Sequence, residues 1–320
     1  MKILITGGAG FIGSYLANFL SKEHTVHVVD NMARGIISRL NSDTAVFNVD
    51  LTDIRELEVL PRDYDWIFHL AAVNGTDNFY GSNEKVFTVG FKSIINLYDY
   101  FEGSGASLVV ASTAEVYQTP IVVPTRENEP LKIPDVQNPR YSYGGSKIFS
   151  ELLVFNYKPN AFKKVVIFRP HNIYGPNMGY KHVIPQLIQK VKFAQLNKRK
   201  HIELIGSGKE TRAFCYVDDV IQGLSLLLER GSNREIYHIG NSTEEISIFE
   251  LAKNIIKISG VDLEIQSGEN SHFGGTSRRC PDISKMKSLG FSPQINLEIG
   301  LERTWLWYSD HLANDENVLL

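Results

Sequence analysis

A doubly wound α/β fold with a smaller mixed α/β lobe at the C-terminal edge of its parallel sheet is the architecture this chain predicts. Three observations point to it. Short apolar runs rich in Val and Ile alternate with helix-period stretches through the first half of the sequence, the pattern of successive βαβ units. The first run, Ile3-Leu-Ile-Thr6, leads into glycines at 7, 10 and 13 and then directly into an apolar helix pattern. Past Pro170 the strict alternation loosens into shorter strands and helices.

Bulk properties narrow the class. The 320 residues suffice for one large α/β domain and a lobe, and 43% hydrophobic with 22% charged content is ordinary for a globule. A net charge of −3 implies no nucleic-acid partner. No apolar run approaches the ~20 residues of a membrane span, and Met1 leads straight into a strand, so neither membrane nor signal peptide is expected. Cys215 and Cys280 match no metal spacing; reduced thiols, a cytoplasmic setting and no bound metal are the expectation.

In chain order, Lys2 to Thr6 predicts the first strand and Phe11 to Ser21 the first helix. Between them Gly7 makes a tight turn, Gly10 lets backbone approach a pyrophosphate, and Gly13 packs helix on strand. Phosphates would meet free N–H groups and the positive helix end there, a Rossmann-type dinucleotide site including Phe11 and Ile12. Thr25 to Val29 predicts a buried strand ending in Asp30 and Asn31. An acid at that tip accepts both hydroxyls of an adenine ribose and repels a 2′-phosphate, so NAD is favoured over NADP, with Arg34 and Arg39 as the contrary signal. Ala45 to Val49 is the third strand; Asp50 and Leu51 follow it, Asp50 placed either to reach the adenine amine or to cap the helix opening near Asp53. Trp66 to Leu70 is the fourth, its His69 a packed strand residue and its Leu70-Ala71-Ala72 end small enough to pass beneath a dinucleotide. Thr76 sits in a polar loop suited to a sugar.

Val86 to Phe101 predicts a long helix, and Leu108 to Ala111 a fifth strand running into Ser112 and Thr113. Thr119 to Pro139 reads as surface loop, Tyr141 to Tyr157 as helix, and Lys164 to Phe168 as the sixth strand. In the second half, Val183 to Phe193 is helical, and Ile202 to Ile205, Phe214 to Val217 and Ile236 to Ile239 are strands. Asp218 or Asp219 is expected to cap a helix reaching Leu228. The division expected is residues 1–170 for the dinucleotide domain and 171–320 for the substrate lobe, with chain returning to the first around 206–240.

Tyr143-Gly-Gly-Ser-Lys147 sets a phenol and an ammonium on one helix face. A lysine beside a nicotinamide cation favours phenolate, and such a tyrosine can take a hydroxyl proton while hydride leaves the same carbon. Lys147 also suits the nicotinamide ribose, and Thr113 would hydrogen-bond the same substrate hydroxyl.

These motifs, in this order, resemble the extended short-chain dehydrogenase/reductases, specifically the NAD-dependent nucleotide-sugar epimerase/dehydratase family. The resemblance covers nearly the whole chain: Thr6 to Gly13, His69 to Ala72, Ser112-Thr113, Tyr143 with Lys147, and Asn172-Ile-Tyr-Gly-Pro176. In the second half Gly206 to Phe214, Tyr216-Val-Asp-Asp219 and Arg278 to Ser284 fit too, the last two being most similar to UDP-glucuronate decarboxylases and 4,6-dehydratases. The resemblance implies a nucleotide-diphosphate sugar oxidised at C4 to a ketone, with Asn172, Arg212 and Arg278 on the diphosphate, Arg279 as the alternative to Arg278, and Val183 near the base. It also implies a homodimer through the helices near Phe91 to Phe101 and Tyr143 to Tyr157.

Glu115 bears on the reaction. Two residues past Thr113, it can face the same site, and a carboxylate there can remove the C5 proton of a 4-ketone. This tilts the expectation to a 4,6-dehydratase, with 4-epimerisation and decarboxylation behind it. The rival from another class is an NAD-binding sensor without catalysis. Three positions depart from the family pattern: Ala114 where dehydratases carry an aspartic acid, Gln118 where glycine is usual, and Gly90 where asparagine is common.

Overall fold

The computed structural model describes residues 1–75, 81, 83–268 and 276–313. Thr76 therefore lies outside the described residues. A seven-stranded sheet organises the chain, in the order β11-β6-β5-β4-β1-β2-β3, with every neighbouring pair parallel. Its strands are β1 (Lys2–Thr6), β2 (Thr25–Asp30), β3 (Ala45–Asn48), β4 (Trp66–His69), β5 (Ser107–Ala111), β6 (Lys164–Pro170) and β11 (Glu235–Ile239). The crossovers run through α1 (Phe11–Leu20), α2 (Asn83–Phe101) and α3 (Ser142–Asn156).

A parallel sheet is buried on both faces, and successive side chains alternate between them. Ile3, Ile5, Val28, Phe68, Val109 and Phe168 pack one face against α1 and α5 (Val217–Arg230). Leu4, Ile67, Leu108, Val110 and Ile167 pack the other against Ile94, Leu97 and Phe101 of α2 and Leu153 and Val154 of α3. The register keeps Thr6 level with Val29 and His69, so the strands end together and their loops share one edge.

Past β6 the chain builds a third core from α4 (Val183–Leu196), α6 (Ile248–Ser259) and α7 (Leu297–Ala313). Small sheets flank it: β7 (Ile173–Tyr174) with β10 (Cys215–Tyr216), β8 (His201–Leu204) with β13 (Glu264–Ser267), and β12 (Glu245–Ser247), β9 (Thr211–Ala213) and β14 (Arg278–Arg279) side by side. Midway through this region β11 returns to the main sheet beside β6.

Three local expectations are corrected. The strand expected over Phe214 to Val217 is broken: β9 ends at Ala213, β10 is Cys215–Tyr216, and Val217 already belongs to α5. Because that helix starts early, its N-cap is Tyr216, and Asp218 and Asp219 lie in its first turn. Asp219 instead accepts the backbone N–H groups of Gln294 (2.8 Å) and Ile295 (3.1 Å). Likewise Asp53, not Asp50, caps the 3-10 turn Ile54–Val59, accepting the N–H of Arg55 at 3.0 Å.

Candidate active site

The glycine turn is sterically closed to side chains where it must be. Gly7 sits at φ +67°, and a Cβ on it would come within 2.8 Å of the Ala71 backbone. A Cβ on Gly13 would lie 2.3 Å from the Gly7 carbonyl oxygen, so the helix can approach the turn only with glycine there. Gly10 caps α1 without a side-chain hydrogen bond, and the first turn carries no acid. Backbone N–H groups and the positive end of the helix are left for an anion.

Around this turn the strand ends supply the rest of a dinucleotide groove. Asp30 accepts the N–H groups of Ala9 (3.1 Å) and Met32 (2.9 Å), which pins its carboxylate at the lip of the turn. Asn31 donates to Asp50 at 3.5 Å. Burial opposes ionisation of Asp50, but hydrogen bonds from Thr52 and Asn31 outweigh it and hold the carboxyl below its usual range. Leu51 is buried after Asp50, and Leu70, Ala71 and Ala72 line the end of β4, half-buried. Phe11 turns toward the lobe core while Ile12 packs on the sheet core. Arg34 donates to the carbonyls of Ala72 (2.8 Å) and Asn74 (3.3 Å), and Asn18 takes the Arg39 carbonyl at 2.7 Å. His69 is a core residue, bonded to Thr6 (2.8 Å) and Ser93 (3.4 Å); burial, then the Lys147 charge, push it down to about 3.

The residues expected to react come together at the end of β5. Thr113 caps the 3-10 turn Ala114–Tyr117, taking the N–H of Glu115 at 3.2 Å, and the Tyr143 phenol is hydrogen-bonded to Thr113. Burial pushes that phenol up to about 12, against the Thr113 bond. Lys147, one helical turn on, donates to the Ala111 carbonyl at 2.8 Å, and burial lowers it to about 8.

Facing them is a knot of opposite charge. Glu115 accepts from Arg279 Nη1 at 2.8 Å. Burial opposes its ionisation, but Arg279 first, then Arg140 and Arg212, hold it below the carboxylate range. β14 runs parallel to β9 with Arg279 opposite Arg212, so the two guanidiniums are neighbours. Burial, then Arg279, push Arg212 down to about 10. Asn172, at φ +45°, ties the end of β6 to this strand by donating to the Ala213 carbonyl at 2.9 Å. Val183 opens α4, half-buried.

Arg278 is the correction. It points away on the opposite side of its strand, its guanidinium taken by Glu245 at 2.8 Å, and half exposed. Strand side chains alternate, so only one of two adjacent arginines can face the site. Sequence reading also missed Arg140 and Gly144. A Cβ on Gly144 would lie 2.6 Å from the Gln118 amide and 3.0 Å from the Glu115 carbonyl, so glycine here lets the Tyr143 helix seat against the Glu115 turn. The signal was its place inside the Tyr143 to Lys147 motif. Gln118, at φ +52°, takes the strained position where glycine is usual and folds back onto the Glu115 carbonyl at 2.6 Å.

A parallel sheet with an anion-ready glycine turn, an acid at the second strand tip and small residues ending the fourth strand makes a dinucleotide-binding fold. The family model described as NAD dependent epimerase/dehydratase family matches residues 3–240, and the chain belongs to this family. NAD is its cofactor. A UDP-N-acetyl-alpha-D-glucosaminuronate decarboxylase from Bacillus cytotoxicus is 30% identical, covering 98% of this chain and 99% of the relative. A dTDP-glucose 4,6-dehydratase from Streptomyces venezuelae, solved with NAD bound, superposes with a TM-score of 0.82 at 26% identity, over 99% of this chain and 100% of that one. A UDP-glucose 4-epimerase from Thermotoga maritima, solved with UDP-glucose, does so at 0.81 and 26%, over 98% and 100%. The protein is thus an NAD-dependent enzyme of the nucleotide-sugar epimerase, dehydratase and decarboxylase group. No helix among the described residues is long and apolar enough to cross a membrane.

Proposed function

We propose that the protein oxidises C4 of a nucleoside-diphosphate uronic acid and expels C6 as carbon dioxide. One observation carries the choice among the group's reactions: Glu115 is paired with Arg279, and its neighbour is Ala114. Dehydration, the first expectation from sequence, needs an acid to protonate a departing 6-hydroxyl. Here the carboxylate held by arginines is a poor proton donor, and alanine is none. Decarboxylation has no such requirement, and the cluster of Arg279, Arg212 and Arg140 suits a substrate with a carboxylate besides its diphosphate.

When bound, NAD would supply the hydride acceptor for C4 and the hydride source for the final reduction of the ketone, with Tyr143 giving its proton back to the C4 oxygen. Tyr143, as the phenolate that Lys147 and a bound nicotinamide cation would favour, takes the proton of the C4 hydroxyl, Thr113 holds the same oxygen, and Lys147 holds the ribose beside it. With C4 a ketone, the C5–C6 bond breaks. Its electron pair passes toward the C4 oxygen, where the Tyr143 and Thr113 hydroxyls stabilise the charge, and C5 then takes a proton from water. A phenol raised by burial is suited to donate that hydrogen bond. Asn172 and Arg212 hold the diphosphate, Val183 the base side, and Arg279 takes the place expected of Arg278. Residues 1–170 with β11 carry the cofactor and the remainder the substrate.

Incubation with UDP-, GDP-, dTDP- and CDP-linked hexuronates and hexoses in deuterated water, followed by NMR, tests this. A pentose product with deuterium at C5 is expected. A 6-methyl 4-ketone, or C4 inversion without exchange, would replace the reading; no turnover with nicotinamide bound would leave the sensor.

A homodimer in the cytoplasm belongs to the same proposal. Phe87, Phe91 and Phe149 form a ladder across α2 and α3, with centroids 5.6 and 4.4 Å apart, and Phe87, Phe149 and Leu152 are exposed. Both cysteines are buried and unpaired. Sedimentation as a species of one 36.1 kDa chain would refute the dimer.

A further inference from the structure

We infer that Glu151 is a positioning residue of the reaction, a buried carboxylate that clamps the end of β5 to α3 and so sets Thr113, Tyr143 and Lys147 in mutual register. The inference rests on the reading of those three as the reacting set.

Thr113 stands at the end of β5, and Tyr143 and Lys147 lie on α3, so their geometry depends on how these two elements are joined. The join is polar and buried. Ser112, adjoining Thr113, donates to Glu151 Oε1 at 2.5 Å. Ala111, one residue earlier, accepts from Lys147 at 2.8 Å. Glu151 is one helical turn beyond Lys147, so the helix grips the strand end at two successive turns.

The carboxylate is held from the far side by β6. Arg169 donates from Nε to Oε1 at 2.8 Å and from Nη2 to Oε2 at 2.5 Å, with side-chain exposures of 2% and 6% for Arg169 and Glu151. Arg169 also donates to the Tyr117 hydroxyl, which meets His238 Nε2 at 2.6 Å. The clamp thus spans β5, β6 and β11. A buried pair of this kind adds little net stability over apolar packing, but it fixes geometry. It also leaves one further cation, Lys147, beside a carboxylate that offsets part of its burial. The other titratable or charged groups around these two are His69 from β4, Tyr143 from α3, Arg169 from β6 and Tyr117 from the 3-10 turn.

The test uses the NAD-loaded enzyme and measures kcat, KM and the pH dependence of kcat. Glu151→Gln should lower kcat about 10- to 100-fold at nearly constant KM. It should also move the alkaline fall of kcat down by about one pH unit, because Lys147 loses its counter-charge. Glu151→Asp, which keeps the charge, should restore the alkaline limb while kcat stays reduced. A folded Glu151→Gln with native kcat and native pH limb overturns the inference. So does a kcat loss that only follows the fraction of enzyme holding NAD. Should Glu151→Gln fail to fold, Ser112→Ala leaves the ion pair intact and should lower kcat about threefold or more; an unchanged kcat there is equally fatal. A wild type that never oxidises C4 overturns the functional reading and this inference with it, whereas an active wild type with indifferent variants overturns the inference alone.

Discussion

At the end of β5 each polar side chain is enclosed and assigned: Thr113 to Glu115 and Tyr143, Lys147 to the Ala111 carbonyl, Glu151 to Ser112 and Arg169. Across the groove, Arg212 and Arg279 crowd one another around Glu115, with Glu210 a second carboxylate near Arg212. The first region is organised before any substrate arrives. The second gathers guanidiniums that repel one another, and an anionic substrate would ease that repulsion. Proton transfer needs fixed distances, whereas recognition of a diphosphate or carboxylate gains from cations whose repulsion falls on binding.

Tyr143→Phe probes the first region hardest. Its kcat should fall about 10²- to 10⁴-fold, with NAD still bound, because only the proton acceptor is removed. Retention of activity would shift the chemistry to another group. The second region is sharpened by adjacent arginines. Arg279→Ala should raise KM at least about tenfold, since a charge-assisted contact contributes roughly 1.5–3 kcal/mol. Arg278→Ala should change KM less than about threefold, its pair with Glu245 being half exposed. Equal effects would erase the distinction between the two faces of β14.

A separate effect concerns stability in acid. Burial pushes His69 and His238 down to about 3 and His171 well below its usual value. The unfolded chain takes up protons near the ordinary histidine value of about 6.5 while the folded one does not, so stability is full above that value and falls as pH drops below it. Each histidine contributes a slope of up to about 1.4 kcal/mol per pH unit. Tm should decline steadily from pH 7 to pH 5. A flat profile would mean that these rings protonate in place.

Much of the cofactor groove and of the tyrosine–lysine pair was legible because their signals are local. The glycine turn, Asp30 and the Tyr143–Lys147 spacing are short motifs whose geometry follows from one turn or one helix face. Arg278 and Arg279 were not separable in this way. A strand of two residues carries no apolar alternation from which to read its facing, and a shift of one position exchanges the faces. Gly144 and Glu151 were invisible for a related reason: each matters only through a neighbour distant in sequence, Gln118 for one and Arg169 for the other. Asp219 was misread because a cap and a buried acceptor of loop amides look alike until the loop near Gln294 is in place.

The return of β11 to the main sheet carries a practical consequence. Severing the chain after Pro170 would strip β6 of its outer partner, exposing a bare parallel edge on the fragment meant to keep the nucleotide. The two halves are thus interlaced rather than strung in series, the chain crossing between sheet and lobe after β6, before β11 and after β11.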